Sequence, residues 1–451
     1  MHQGQEVDST THAFAWALRV GALVIGAVVM ISGTSSAGTA ITPRAPTSKA
    51  GAQLSSIQST ASTVPVVARA SSGPGFAYGF DFTTNGPYQA DPTAIKSATG
   101  VMGTFAGSFM DVNMMGWGVG NPEQSPGVFD FHQLAARIAL VQSTGGVPII
   151  TLSAAPDWMK GGVPGVTDWT RIDVAPLAQH YGDYAALCAA IAKAFPQVKS
   201  FAVWKEMKGF WSTATNQFDS AGYTAMYNTA YTAIKAVRPD ALVGGPYMAM
   251  QSVTSTWVNP ALPHGTWGAA AKAGATSLSY WLANKIGADF VALDGESYTK
   301  NAGLITDPIS STAKYAAIDT WLRAQTTLPI AWMESHVLPD PTQWTEHQQT
   351  AVRVATLIEM DSSGAAAGLQ WQPQQQAGWD EGLWTSTDLP TGGKVTVLGD
   401  ILPQVVHVLQ SPVTILPGQP AGTLVATGAL GTITVNLYGG ASSVVVTGPT
   451  H

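Results

Sequence analysis

From about Gly75 the chain alternates short apolar runs with longer stretches whose apolar residues recur at helical spacing. The runs Phe76–Phe82, Val101–Ala106, Val147–Ser153, Val198–Trp204, Ala241–Gly245, Phe290–Leu293, Pro329–Met333 and Gly368–Trp371 predict strands. Helices are predicted over Phe131–Ser143, Pro176–Phe195, Ser220–Val237, Thr312–Thr326 and Trp344–Ser362. Runs that are apolar throughout imply burial on both faces, and strand–helix alternation implies a parallel sheet. Eight such units over about 300 residues predict an α/β fold, a (β/α)8 TIM barrel. The rival is a doubly wound open sheet, for which no Gly-rich dinucleotide fingerprint is present.

After Gln376 helices are expected to stop. Val395-Thr-Val397, Val413-Thr-Ile415, Thr423-Leu-Val425, Thr432–Tyr438 and Val444–Val446 are broken by Gly and Pro. They predict a small C-terminal antiparallel β-sandwich domain over residues 377–451, laid against the flank of a barrel spanning 73–376. Upstream, Val20–Ile31 is an uninterrupted apolar run preceded by Arg19 and followed by small residues. It has the length of a signal-peptide core and is short for a span, although extension back to Ala13 makes a marginal anchor. Residues 1–37 are therefore expected to be a signal peptide or an N-terminal membrane anchor. Residues 38–72, rich in Ser, Thr, Pro and Ala, are expected to be a linker, with Val64–Ala70 available to add a strand downstream. Either way the body of the chain is expected to be exported, secreted or tethered to the outer face of the cytoplasmic membrane.

Composition narrows the partners. With 28 acidic and 21 basic residues, a net charge of −7 and no basic cluster, a nucleic-acid partner is not expected. Cys188 stands alone in the apolar stretch Tyr184–Ile191, so no intramolecular disulfide forms, and a buried hydrophobe is favoured over a nucleophile. No HExxH, EF-hand or Cys/His cluster calls for a metal, and no GxSxG elbow supports a serine hydrolase. No cofactor is expected, and the oligomeric state is not legible.

Charged residues make up only 11% of the chain, which sets off two glutamates. Glu206 ends the run Phe201-Ala-Val-Trp-Lys-Glu206, and Glu334 ends Ile330-Ala-Trp-Met-Glu334. Strand ends surround the active site of a barrel, and these two follow the fourth and seventh predicted strands. Two carboxylates facing each other across a cleft are what hydrolysis of a glycosidic bond uses. Surface ion pairing is the plain alternative.

In the order of these motifs the chain resembles the large clan of retaining glycoside hydrolases with the acid/base glutamate after strand four and the nucleophile after strand seven. The likeness points to β-xylosidase-like members, similar to glycoside hydrolase family 39, that carry an added β-sandwich. It covers about Gly73 to the C-terminus. It implies Glu206 as general acid/base, Glu334 as nucleophile, and carboxyl groups about 5–5.5 Å apart. Trp204 and Trp332 would supply low-polarity walls. The clan has Asn immediately before the acid/base where this chain has Lys205, and an ammonium beside Glu206 opposes a proton-donating role. Lys205 would instead bind an unusual hydroxyl or an anionic group of the substrate, or point outward. That departure keeps a non-catalytic carbohydrate-binding protein on a glycosidase-like barrel in view, and a tethered envelope protein is a third reading.

The resemblance also implies Trp371 as the floor of the sugar site and Tyr298 as a hydrogen-bond donor to the nucleophile. Strand-end position adds Trp158 as a second stacking face, Glu296 as a third carboxylate on the rim, and His336 as a substrate contact. Asp81 and Asp111 are further hydroxyl ligands. For these residues core packing, loop roles and helix capping are the competing readings. The segment Met248–Ser277, with Trp257, His264 and Trp267, is expected to close over the cleft. The implied activity is retaining O-glycoside hydrolysis of an oligo- or polysaccharide in a cell-wall or extracellular glycan.

Overall fold

The computed structural model describes residues 76–81, 91–254, 259–297, 307–337, 344–375 and 381–449. The expectations for the N-terminal segment and linker, for Trp257 and for Tyr298 lie outside the described residues. Among the described residues no helix is long and apolar enough to cross a membrane.

Strands β1 (Ala77–Asp81), β2 (Phe109–Asn113), β3 (Val147–Leu152), β4 (Ser200–Val203), β5 (Leu242–Ala249), β6 (Phe290–Glu296), β7 (Ile330–His336) and β8 (Ala367–Trp371) close into a parallel barrel in that order. A helix follows each strand: α1 (Pro92–Gly103), α2 (His132–Ser143), α3 (Tyr181–Ala194), α4 (Ser220–Val237), α5 (Lys272–Asn284), α6 (Ala313–Arg323), α7 (Glu346–Ser362) and α8 (Val397–Val408). Phe109, Ile149, Ala202, Phe290, Ala331 and Leu369 pack inside the barrel, and the opposite strand faces meet the helices. The predicted (β/α)8 architecture is therefore present, with largely apolar strands because both faces are covered.

Two predicted elements are corrected. Val101–Ala106 is not the second strand. Asp91 caps an earlier helix, accepting from the Thr93 and Ala94 amides with Pro92 in the first turn, and Ala94, Ala98 and Met102 form its buried stripe. The strand is Phe109–Asn113, five buried residues whose Asp111 and Asn113 disguise it as a loop. Helices also do not stop at Gln376. Val395–Val397, read as a strand for its β-branched residues, leads into α8, where the Thr396 hydroxyl accepts from the Gly399 amide. Leu398, Leu402, Val405 and Val408 give α8 its buried stripe despite Gly399 and Pro403.

The chain ends in an antiparallel sheet of β9 (Val413–Ile415), β10 (Thr423–Gly428), β11 (Gly431–Asn436) and β12 (Val444–Thr447), paired in sequential order. Leu424, Ala426, Ile433, Val435 and Val444 form its buried face, which packs on α7 and α8. Alternation along β10 and β11 is the one-face-in pattern read from the sequence.

Two irregularities position the site. Between β6 and β5 the register passes from Ala292–Pro246 to Leu293–Met248, skipping Tyr247. Between β6 and β7 it passes from Leu293–Trp332 to Asp294–Glu334, skipping Met333. A bulge of one residue shifts the in–out alternation of everything after it. Tyr247 thus joins the interior; Met333, two residues after Ala331, also faces inward, while Trp332 faces the helices, where its indole N–H donates to Asp319 (3.1 Å). Glu334 follows Met333 on the inner side rather than alternating outward.

Behind β7, Arg353 of α7 is fully buried. It donates to Glu381 (2.8 Å), the Ser335 hydroxyl (2.6 Å) and the Ser335 carbonyl (2.9 Å). Glu381 also accepts from the Val337 amide (3.1 Å). Removing one partner of a buried pair costs about 3–5 kcal/mol because the other charge is left unpaired. Arg353→Met is expected to lose that much in denaturant unfolding, and Arg353→Met with Glu381→Leu is expected to recover most of it.

Asp319 of α6 is buried between β7 and α7, accepting from Trp332 and from the Ser363 hydroxyl (2.6 Å). Burial pushes its carboxyl up to about 7. The unfolded chain ionises it near pH ~4, so the folded protein binds the extra proton between about pH 4 and 7. Stability from this group is complete below that window and falls as pH rises through it. Asp319→Asn keeps the bond from Trp332 on its amide oxygen and can donate its NH2 to the Ser363 hydroxyl in place of accepting from it. It carries no charge and is expected to stabilise the protein at pH 8 by about 2–4 kcal/mol. At pH 4 the gain should shrink toward zero. Urea unfolding at the two pH values checks this, and an equal effect at both would contradict a buried neutral Asp319.

Candidate active site

The fourth strand runs into Trp204, Glu206 and Met207, all with left-handed φ (68°, 53° and 49°), a region that costs non-glycine residues energy. Trp204 anchors this turn. Its indole N–H donates to the Lys208 carbonyl (2.8 Å), and its ring meets Tyr184 and Phe210 edge-on. Lys205 is directed into the barrel, while Glu206 stays partly exposed at the rim.

Lys205 is fully buried. Its Nζ lies 2.7 Å from Asp81 Oδ2, 2.5 Å from Glu334 Oε2 and 3.4 Å from the Tyr247 hydroxyl. Burial disfavours the ammonium, but Asp81 and Glu334 outweigh it and hold the lysine charged, with its pKa well above the usual range. Lys205 therefore points neither outward nor at Glu206 as its nearest carboxylate. Asp81, expected at an outer subsite or as a helix cap, is buried as the counter-ion of Lys205.

Glu334 is buried with both oxygens engaged. Oε2 takes Lys205 and the Tyr247 hydroxyl (3.2 Å), and Oε1 lies 2.9 Å from His336 Nε2. Burial raises its pKa, but Lys205 and His336 overcome that and keep the carboxyl ionised, below the ordinary carboxylate range. His336 is the reciprocal case: burial lowers its pKa, yet Glu334 and then Asp294 lift it to about 9. The imidazole ring packs against Trp371 with centroids 4.7 Å apart. Asp294, in register with Glu334, is pushed well above the usual range by burial and then by the Glu334 charge. Asp111 is likewise raised by burial and Asp81, and its Oδ2 accepts from the Thr151 hydroxyl (2.6 Å).

Glu206 has a different partner, Lys208, at 3.1 Å; Lys208 is also 3.7 Å from Asp173. Trp117, another left-handed residue (φ 46°), places its ring 5.5 Å from Lys208 Nζ and 5.8 Å from Lys205 Nζ. It links the two lysines that flank Glu206 and was not picked out from sequence. Tyr247 was missed too. It donates to Glu334, the role expected of Tyr298, and its signal was an aromatic residue closing the fifth strand after Gly-Gly-Pro.

The remaining candidates are held by structural partners. Glu296 accepts from the Ser252 amide (3.3 Å) and lies 3.5 Å from Lys314. Trp158 is buried in a short 3-10 turn and donates to the Glu123 carbonyl (2.9 Å). Trp332, expected as a wall of the site, faces the helix layer instead, edge-on to Tyr315. The Met248–Ser277 segment contains a three-stranded antiparallel sheet (252–253, 264–265, 268–270) in which Trp267 is buried and His264 exposed. Cys188 is buried and its thiol pushed up by that burial, as a packed hydrophobe requires.

No family model matches the sequence, and no curated protein matches it either. Solved structures do match. A monomeric β-xylosidase from Caulobacter crescentus CB15 is 17% identical, with 80% of this chain and 73% of that one covered and a TM-score of 0.53. A GH39 enzyme from Xanthomonas axonopodis pv. citri is 16% identical over 80% of this chain and 70% of its own, with a TM-score of 0.52. A β-glycosidase aligns over 77% of this chain and 99% of its own at 13% identity and a TM-score of 0.51. At these identities the likeness is one of fold, and the chain shares the (β/α)8 architecture of these glycoside hydrolase structures.

Proposed function

We propose that this chain is an exported retaining glycoside hydrolase, with Glu334 as nucleophile and Glu206 as general acid/base. The observation that carries the proposal is Glu334 itself, an ionised carboxylate at the end of β7 held in place by Lys205, Tyr247 and His336. An oriented, charged carboxylate is what attack on an anomeric carbon needs. In the first step a Glu334 oxygen bonds to that carbon as the glycosidic bond breaks, and Glu206 gives its proton to the leaving oxygen. In the second, water attacks the same anomeric carbon from the opposite side and gives a proton to Glu206 as the bond from that carbon to the Glu334 oxygen breaks, releasing Glu334. Oε1 is the oxygen on the open side, since its partner His336 is 20% exposed and Lys205 is fully buried. The β-xylosidase among the fold neighbours makes aryl β-xylosides the first substrates to screen. Export to act on a cell-wall or extracellular glycan rests on the apolar run Val20–Ile31 and the linker after it.

The same contacts favour a second reading, a non-catalytic carbohydrate-binding protein. Both Glu334 oxygens are tied to cationic donors, and Glu206 is paired with Lys208. Substrate must displace His336 and Lys208 for the chemistry above to run. Glycan binding by calorimetry without any hydrolysis would select this reading.

Glu334→Gln is expected to abolish turnover while leaving thermal unfolding cooperative, and the product of the wild-type enzyme should keep its anomeric configuration by NMR. Inversion, or wild-type activity in the variant, would sink the assignment. Glu206→Gln is expected to lose about 10²–10⁴-fold with a poor leaving group. The loss should be much smaller with 2,4-dinitrophenolate, which departs without a proton. An equal loss with both leaving groups would remove Glu206 from the acid role.

A further inference from the structure

We infer that Asp294, Glu334 and His336 form a binding site for one divalent transition-metal ion of the Zn²⁺ type. The bulge beside Leu293 sets Asp294 opposite Glu334 on adjacent strands, and His336 follows Glu334 by two residues on the same strand. One imidazole nitrogen and two carboxylate oxygens converge there, all within 4.8 Å of one another. His336 Nε2 is 2.9 Å from Glu334 Oε1 and 3.7 Å from Asp294 Oδ1. Tetrahedral bonds of about 2.0–2.2 Å put ligand atoms roughly 3.3–3.5 Å apart, so these separations bracket the required one.

A second observation points to a ligand. The Asp294 side chain is 7% exposed, and its Oδ1, the atom facing His336, accepts no hydrogen bond from any described residue. The cation nearest that oxygen, His336, stands at 3.7 Å, too far for a hydrogen bond. A buried acceptor is thus left incompletely satisfied, and a metal ion bound there would satisfy it. The donor set, one nitrogen and two oxygens, suits Zn²⁺, with a fourth position left to water. Glu334 reaches the ion through Oε1 while Lys205 and Tyr247 keep Oε2, an outer contact that fixes the ligand's direction. Binding displaces a proton from His336, and from Asp294 where it is protonated, because only the deprotonated groups ligate.

Occupancy of this site covers Oε1, so under the hydrolase reading the metal is an inhibitor that masks the nucleophile. That consequence rests on the proposed function; the site itself does not.

The test uses the full chain, stripped with a chelator and titrated with Zn²⁺ in a calorimeter at pH 8. One equivalent is expected to bind, weakened at least about tenfold in both Asp294→Asn and His336→Gln. Binding should be unchanged in His132→Gln and His180→Gln, which remove the histidines paired with Asp130 and Asp183 at the surface. Absence of binding, or binding that survives both site variants, overturns the proposal. Should the site variants fail to fold, wild-type crystals soaked in Zn²⁺ decide. An anomalous peak within bonding distance of the three side chains supports the site, and peaks only elsewhere overturn it. Heat and diffraction do not depend on turnover, so failure here is distinguishable from failure of the hydrolase reading.

Discussion

The charge of Lys205 inside the barrel is the constraint on which the candidate site depends. A buried ammonium is tolerated only when counter-charges and hydrogen bonds replace water, and here Asp81 and Glu334 do so from strands on either side of β8. The arrangement fixes other protonation states around it. Glu334 stays ionised, whereas Asp111, near Asp81, and Asp294, near Glu334, are driven toward the neutral form. The interior thus holds more carboxyl groups than it can hold negative charges, and the ion pairs decide which ones ionise.

The backbone makes that placement possible. Regular alternation would turn the residue after Met333 toward the helices, but the irregular register of β7 keeps Glu334 on the inner side. The skipped Tyr247 of β5 reaches the same carboxylate. Arg353 then secures the stretch from behind, gripping Ser335 through both its hydroxyl and its carbonyl. One side of the strand end is locked by a buried cation on the barrel axis and the other by a buried cation in the helix layer.

These contacts frame the choice between catalysis and binding. The resemblance to retaining hydrolases implies a nucleophile and an acid/base after strands seven and four, and both positions carry glutamates. Yet each glutamate has a basic partner within about 3 Å in the described geometry. Lys205 is too deeply enclosed to move without disturbing four strands, whereas Lys208 and His336 are partly exposed. The lysine in place of the clan's asparagine is therefore best understood as part of the site's internal charge balance.

The sequence by itself determined the layout. Apolar runs that prove to be strands at seven of the eight predicted places, separated by helical stretches, made the barrel legible, because a parallel strand covered on both faces is largely apolar. The terminal β segments were legible for the same reason, in the alternating form. The placement of Glu206 and Glu334 at the ends of the fourth and seventh strands was legible because each closes an apolar run in a chain with few charged residues. Strand two was hidden by Asp111 and Asn113, polar residues that only a buried site accommodates, and α8 by its β-branched start and internal Pro403. What only the tertiary structure decided was partnership: Lys205 with Asp81 across 124 positions, Tyr247 with Glu334 across 87. Periodicity cannot encode these contacts, since one-residue register shifts set which side chains face inward and the closed barrel sets which of them meet.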